Sequence, residues 1–244
     1  MYAQEKIKPY EGNAHKREQV EQLFDNIAPT YDALNHTLSF GFDRAWRRKA
    51  IRALATYQPQ SVLDVATGTG DFALAIAREL RLHRVMAVDI SEGMMRVGRE
   101  KAAREGLHDT VCFQKEDCNC LSFADDSFDA VTVTFGVRNF ENLDACLCET
   151  HRVLRKGGHL VLLELSYPHN RLWRALFGIY SKLVMPIVGR LISGDNSAYT
   201  YLPETMKAFP QGEAMREILQ KNGFPKVTFR RLTMGICTLY IAEK

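Results

Sequence analysis

Residues Val62–Asp71 read VLDVATGTGD: a short apolar strand that runs into a glycine-rich turn and ends on a carboxylate. A strand, a G-x-G turn and a helix N-terminus together build a cradle in which backbone closely approaches a ligand. Gly68 and Gly70 let the chain turn tightly there and leave no Cβ in the ligand's way. Two carboxylates flank the turn, Asp64 at the strand's end and Asp71 just after the glycines. Acids in this position repel a pyrophosphate and attract a cationic head group.

Residues Gly68–Ala73 also satisfy the G-x-G-x-x-A pattern of dinucleotide-binding folds, and Asp89 follows about twenty residues on, at the end of a second strand, RVMAVD. An acid there accepts hydrogen bonds from ribose hydroxyls in either cofactor class, so Asp89 does not discriminate. The two flanking acids do. They favour S-adenosyl-L-methionine, whose amino-acid end carries an ammonium and a sulfonium, over a dinucleotide.

Working outward from this turn, the chain alternates. A helical pattern from His15 to Ala28 stops at Pro29, and a loop-rich piece, Thr30–Phe42, follows. Asp43 reads as the N-cap of a basic helix running to about Thr56. Then come strand Val62–Val65, helix Asp71–Leu80, strand Val85–Asp89, and a helix capped by Ser91 and ended by Gly106. Strands at Val111–Lys115, Asp129–Phe135 and His159–Leu165 surround a helix at Asn142–Leu154. Strands alternating with helices predict a parallel sheet with right-handed crossovers. The end differs: Val227–Leu232 and Ile236–Ala242 are separated by a short turn, which forces them antiparallel. Five parallel strands plus a terminal antiparallel hairpin match the α/β, Rossmann-like, seven-stranded sheet of class I S-adenosylmethionine-dependent methyltransferases better than a six-stranded dinucleotide fold.

Composition sets bounds. At 244 residues, 46% hydrophobic and 25% charged, the chain suits one α/β domain with a sizeable core. A net charge of +3 demands no nucleic-acid partner. The first twenty residues are polar and hold no signal peptide, and six cysteines are expected as reduced thiols of a cytoplasmic protein. Cys146 and Cys148 fall in a helical pattern where i and i+2 point apart, so their C-x-C spacing does not predict a metal. The apolar stretch Leu172–Ile192 is broken by Arg174, Lys182 and Arg190 and cannot span a bilayer.

Ligands of open α/β sheets sit beyond the carboxyl ends of the strands. Those ends supply Asp64 with the Thr67–Asp71 turn, Asp89, Asp117 with Cys118, Thr134 through Asn139 (TFGVRN), and Glu164 with Ser166. Asp89 is placed to take ribose hydroxyls, Asp117 and the Cys118 backbone to face an adenine edge, and Thr69 and Gly70 to line a methionine portion. Arg138 stands where a guanidinium would stabilise a phenolic oxyanion. Alternatively, Asn139 caps a helix and Arg138 makes a surface ion pair.

With these residues in place, the chain resembles the quinone C-methyltransferases of menaquinone and ubiquinone biosynthesis. The likeness rests on LFDNIAPTYDALNHTLSFGFDRAWRR (Leu23–Arg48), VLDVATGTGDFA (Val62–Ala73), TFGVRN, RVLRKGGHLVLLELS (Arg152–Ser166) and SAYTYLPETMKAFP (Ser197–Pro210). Tyr31, Asp32, Asn35, Ser39 and Trp46 match the family's first signature; Asp43 stands where it usually has His, and Arg155-Lys156 where its second signature has Lys-Pro. The resemblance implies cofactor contacts at Thr69, Asp89, Asp117, Cys118 and Thr134. It implies methyl transfer from S-adenosyl-L-methionine to a ring carbon of demethylmenaquinol, the last step of menaquinone biosynthesis, with no metal. A ubiquinone precursor, or both quinones, is the alternative acceptor. Outside the class stand a binding module and a dinucleotide oxidoreductase.

In this reading Arg138 steadies the ring oxyanion, and Tyr31, Asp32 or His36 takes part in proton removal. Residues 1–56 form a helical arm and substrate-side cap, and residues 57–244 the catalytic domain with a helical insertion at about 169–210. The family's acceptors carry a long polyprenyl tail. Leu172–Ile192 therefore reads as a peripheral membrane contact at the inner face of the cytoplasmic membrane, or as helices packed on the sheet or against a second copy in a homo-oligomer.

Overall fold

Strand β1 (Val62–Val65) lies near the middle of a seven-stranded sheet and pairs in parallel on both sides, with β2 (Val85–Asp89) and β4 (Phe128–Thr134). The computed structural model describes residues 1–185, 187 and 197–244, of which 197–200 by backbone alone. Beyond β2 lies β3 (Val111–Lys115), parallel; beyond β4 lies β5 (Leu154–Leu165), parallel. The C-terminal pair β7 (Cys237–Glu243) and β6 (Lys226–Leu232) continues the sheet antiparallel, giving the order β3-β2-β1-β4-β5-β7-β6. The expected five parallel strands and terminal hairpin are therefore present.

The central strands are buried on both faces, so they read as apolar runs rather than alternating ones. Their period of two still sorts side chains into two layers. Leu63, Val131, Leu160 and Leu162 pack with α6 (Leu143–Val153) and α9 (Glu213–Lys221). Val62, Ala130, Val161 and Leu163 pack with α3 (Phe42–Ala55) and α4 (Asp71–Leu80). A third cluster joins α1 (Lys16–Ile27) and α2 (Tyr31–Leu38) to α7 (Arg171–Ile179) and α8 (Ser197–Ala208) through Leu23, Leu34, Phe177 and Met206.

Three local expectations need correction. Thr30–Phe42 is not a loop: α2 occupies most of it, because Leu34 and Leu38 sit one turn apart and both enter the third cluster. Its weak helix formers, Asn35, His36 and Thr37, hide that helix in the sequence. Asp43 is not an N-cap. Gly41, at φ 74°, precedes α3, and Asp43 lies in the helix's first turn facing inward. Finally, the thiols are not all free: Cys118, after β3, and Cys146, on α6, are joined as a disulfide with their Cα atoms 4.9 Å apart. Cys146 is buried and Cys148 exposed, on opposite sides of α6 as their spacing requires. Of the apolar stretch Leu172–Ile192, positions 186 and 188–192 lie outside the described residues. Among those described, no helix is long and apolar enough to cross a membrane.

The glycine turn is fixed from beneath by one ring. A Cβ on Gly70 would come within 2.7 Å of Phe113, and one on Gly98, in α5 (Glu92–Arg104), within 2.6 Å of the same ring. Gly70 also needs its left-handed φ of 75°, whereas Gly98 does not. Gly98→Ala thus adds the clash with no φ penalty, set against the roughly 1 kcal/mol that a mid-helix exchange of Gly for Ala gains. Overpacking of this kind costs about 1–3 kcal/mol. At about 2–4 °C per kcal/mol for a chain of this size, calorimetry should show Tm falling by several degrees.

Candidate functional site

Two cavities open at the carboxyl ends of the parallel strands, and Tyr31 and Phe135 line both. Phe135 leaves β4 at φ 59° and Ala66 leaves β1 at φ 54°, two non-glycine residues in left-handed backbone. Gly136 follows, and a Cβ on it would meet the Ala66 methyl at 2.6 Å. Such backbone costs about 1–3 kcal/mol per residue and collects at functional sites. Here it brings the two strand exits into contact and turns the Phe135 ring into the wall between the cavities.

The first cavity, about 900 Å³, follows the glycine turn. Gly68, Thr69, Asp71, Asp89, Asp117, Cys118 and Thr134 line it. Asp89 accepts from the Gly68 amide at 2.7 Å and the Ser91 amide at 2.9 Å, so the end of β2 holds the turn open. Burial pushes the Asp89 carboxyl up to about 6. Asp117 is half-buried. Burial there opposes the charge, but the Asn119 amide and the Arg17 guanidinium, 2.7 Å away, outweigh it and hold the carboxyl below its ordinary range. Five carboxylates (Asp71, Asp89, Glu116, Asp117, Glu141) against two arginines (Arg17, Arg47) line the cavity, an acid excess unsuited to a pyrophosphate and suited to a ligand with cationic groups.

Two residues expected at this cavity do not reach it. Asp64 is wholly buried beneath the turn, where it accepts from Thr132 at 2.5 Å and Thr67 at 2.6 Å. Its carboxyl is likewise pushed up to about 6, chiefly by burial. Its place inside the sheet, rather than at the strand's tip, explains the difference: it holds the loop from beneath. Gly70 faces Phe113, so the space its missing side chain leaves is filled by the protein.

The second cavity, about 1100 Å³, is walled mostly by apolar side chains, among them Trp46, Phe135, Leu165, Trp173, Phe177 and Met206. Its mouth carries exposed Phe40, Phe42 and Leu176. Among its polar groups are Arg138, Asn35, Ser39 and Asp43. Arg138 is no surface ion pair. It is 6% exposed, and its Nη1 donates to Glu164 Oε1 at 2.7 Å and to the Phe135 carbonyl at 2.6 Å. Burial opposes the Arg138 charge, but Glu164 more than compensates and keeps it protonated. Arg138 Nε is buried with no hydrogen-bond partner among the described residues, and so is Asn139 Oδ1.

Of the residues expected to move a proton, Tyr31 stands at the junction of the cavities, its hydroxyl raised above its ordinary value by burial. Asp32 and His36 line neither. A helix turns about 100° per residue, so with Tyr31 facing the junction its neighbour Asp32 points behind the glycine turn. There it accepts from Thr69 at 2.6 Å and Lys101 at 2.8 Å. His36 meets Asp43 at 2.7 Å. Reading the sequence missed Lys101, Arg47 and the double role of Phe135, because no local motif marks them.

Comparison with known proteins bears on this geometry. Residues 13–244 match the model of the ubiE/COQ5 methyltransferase family. A demethylmenaquinone methyltransferase of Bacteroides fragilis is 60% identical over 243 residues, spanning 100% of this chain and 99% of its own. A ubiquinone/menaquinone biosynthesis C-methyltransferase of Geobacter sulfurreducens is 41% identical, over 94% of this chain and 90% of its own. Among solved structures, a SAM-dependent methyltransferase from Thermotoga maritima, described as a possible histamine N-methyltransferase, shares the fold with a TM-score of 0.63 at 17% identity, over 91% of this chain and 99% of that one. The chain belongs to the ubiE/COQ5 methyltransferase family.

The Arg138–Glu164 pair gives a direct test of the site's construction. Glu164→Ala leaves a buried guanidinium unpaired and should cost about 3–5 kcal/mol in urea unfolding. Replacing both partners with apolar residues of similar size should recover most of that loss.

Proposed function

We propose that this family member binds S-adenosyl-L-methionine in the first cavity and a reduced, demethylated naphthoquinol in the second, and C-methylates demethylmenaquinol to menaquinol. The observation that carries the reading is the shared wall: an acid-rich cavity and an apolar one that meet at Tyr31 and Phe135. Reactants lodged in two cavities that meet at these residues gain the proximity that bimolecular transfer requires, the methyl group and the ring carbon coming into contact at that meeting point.

The first cavity fits the methyl donor on features of its own. Asp89 presents a carboxylate beside the Gly68 turn, as ribose hydroxyls need, and Gly68 keeps that wall free of a side chain. Asp117 and the Cys118 backbone serve the adenine edge, and Thr69 and Thr134 the methionine portion. The acid excess suits the donor's ammonium and sulfonium. When bound, the donor supplies an electrophilic methyl group on sulfur.

The protein's own part is to prepare the acceptor. A quinol that loses a hydroxyl proton pushes electron density onto the ortho carbon. That carbon forms the new carbon–carbon bond as the methyl–sulfur bond breaks and its electron pair stays on sulfur, and the ring proton then leaves to water to restore aromaticity. Arg138, fixed in orientation by Glu164 and retaining an unpartnered Nε, holds the developing oxyanion. Tyr31, whose burial keeps its hydroxyl protonated, acts as a hydrogen-bond donor at the junction and not as a base. Asp32 and His36 give up the proton-removing role, since both face the ion pairs behind the turn.

The apolar cavity also fits the start of a prenyl tail, and its mouth extends into exposed Leu172, Leu176, Ile179 and Leu183, interleaved with Arg171, Arg174 and Lys182. This face rests peripherally on the inner surface of the cytoplasmic membrane, where such an acceptor resides. The relatives named for menaquinone alone favour the naphthoquinol.

Labelled S-adenosyl-L-methionine, offered with demethylmenaquinol and with a demethylated ubiquinol precursor, should mark the naphthoquinol. Label on neither, with the donor bound, would refute the acceptor. Arg138→Lys preserves the charge partner of Glu164 but loses the planar fork; kcat should fall about 10²–10³-fold, as for a lost oxyanion donor, with donor affinity unchanged. In flotation with anionic liposomes the protein should rise, and Ile179→Glu with Leu183→Glu should keep it at the bottom.

A further inference from the structure

Lys101 belongs to neither cavity, yet it closes a run of charged groups that reaches both. It lies on α5, 13% exposed at its side chain, and an ammonium has three hydrogens to donate. All three have acceptors: Asp32 Oδ2 at 2.8 Å, Thr69 Oγ1 at 3.2 Å, and Asp71 Oδ1. The Thr69 hydroxyl in turn gives its own proton to Asp32 Oδ1 at 2.6 Å. One lysine therefore ties the glycine turn, the first turn of α4 and the first turn of α2 together.

From Asp71 the run continues. Its other oxygen lies 3.6 Å from Arg47 Nη1, which donates to Asp43 Oδ2 at 2.6 Å. Asp43 also accepts from Ser39 at 2.7 Å, and both Asp43 and Ser39 line the second cavity. Burial opposes the Asp71 charge, but Arg47 and Lys101 outweigh it and keep the carboxyl below its ordinary range, so Asp71 stays ionised. Thr69 and Asp71 line the first cavity.

We infer that Lys101 is a positioning residue that couples the two cavities, so that occupation of the donor side orders the acceptor side. The inference rests on the reading of the first cavity as the donor site. Its physical basis is the Thr69 hydroxyl. That proton is committed to Asp32, and a ligand that claims it must release Asp32. Asp32 is the immediate neighbour of Tyr31, the residue that forms part of the wall common to both cavities. Lys101, still anchored to Asp71, sets where Asp32 goes when the hydroxyl lets go. Without the ammonium, Arg47 would be left to offset the repulsion between Asp32 and Asp71, and the Thr69 hydroxyl alone would hold the start of α2 to the turn.

The protein carries its own reporters. Its two tryptophans, Trp46 and Trp173, both line the second cavity and neither lines the first. S-adenosylhomocysteine, which cannot transfer a methyl group, serves as the probe. Calorimetry reports its binding, and acrylamide quenching of tryptophan emission reports the second cavity. In the unaltered protein, saturating probe should change the quenching. Lys101→Met should still bind the probe while losing at least half of that change, and its KM for the quinol should rise about fivefold or more. Lys101→Arg, which can reach the same acceptors, should restore the response.

An unaltered tryptophan response in Lys101→Met, or probe binding to the unaltered protein with no response, overturns the coupling while leaving the donor site standing. Failure of the unaltered protein to bind the probe overturns the donor reading itself. Should Lys101→Met not fold, Asp32→Ala removes both acceptor oxygens and cuts the same link from the α2 side, and a retained response there overturns the inference equally.

Discussion

Asp64 accepts hydrogen bonds from Thr132 and Thr67 in the middle of the sheet, with no exposure to solvent. This arrangement is the constraint on which the site depends. A lone carboxylate in an apolar layer is costly unless its lone pairs are met, and the two hydroxyls come from different places: Thr132 from β4 and Thr67 from the loop after β1. Satisfying Asp64 therefore locks the neighbouring strand and the glycine turn to β1 at once. The turn is then held from outside by Asp89 through the Gly68 amide, and from beneath by Phe113 against Gly70 and Gly98. Three independent contacts thus set a loop whose glycines would otherwise leave it free.

The same economy shapes the partition between the cavities. Left-handed backbone at Ala66 and Phe135, with Gly136 pressed on the Ala66 methyl, places two strand exits closer together than ordinary side chains allow. Phe135 then meets Trp46 edge-on at 6.2 Å, and the Arg47 guanidinium lies over its ring at 5.2 Å. Arg138 is anchored to Glu164 and the Phe135 carbonyl. A buried pair of this kind adds little net stability over apolar residues; here it fixes the guanidinium in the wall of the second cavity. The guanidinium is held by Glu164 and the Phe135 carbonyl, charged, and short of one partner at Nε.

Much of this was legible in the chain. The period-two apolar runs, the glycine turn and the close spacing of the last two strands were enough to order the sheet. The strand ends in turn listed Gly68, Thr69, Asp89, Asp117, Cys118 and Thr134, all of which line the first cavity. Where the reading departed from the structure, tertiary forces had outweighed local ones. The helix over Tyr31–Leu38 forms despite poor helix formers because Leu34 and Leu38 find a core to enter. Asp43 looks like a cap, but three partners inside the fold, His36, Ser39 and Arg47, draw it inward.

What the sequence determined by itself is which segments form strands and helices, and hence which residues stand at the carboxyl edge of the sheet, because both follow from periodicity and turn chemistry within a few neighbouring residues. Which way each of those residues faces was decided only in three dimensions. Asp64 stands one residue inside the end of β1 and Asp89 ends β2, and one is sealed within the sheet while the other opens on a cavity. Tyr31 and Asp32 are adjacent, yet one joins the wall between the cavities and the other a cluster of ion pairs. Lys101 and Asp32 are 69 residues apart and carry no shared motif. Their meeting depends on how α5 and the N-terminal helices pack over the turn, and long-range packing leaves no mark in a local stretch of chain.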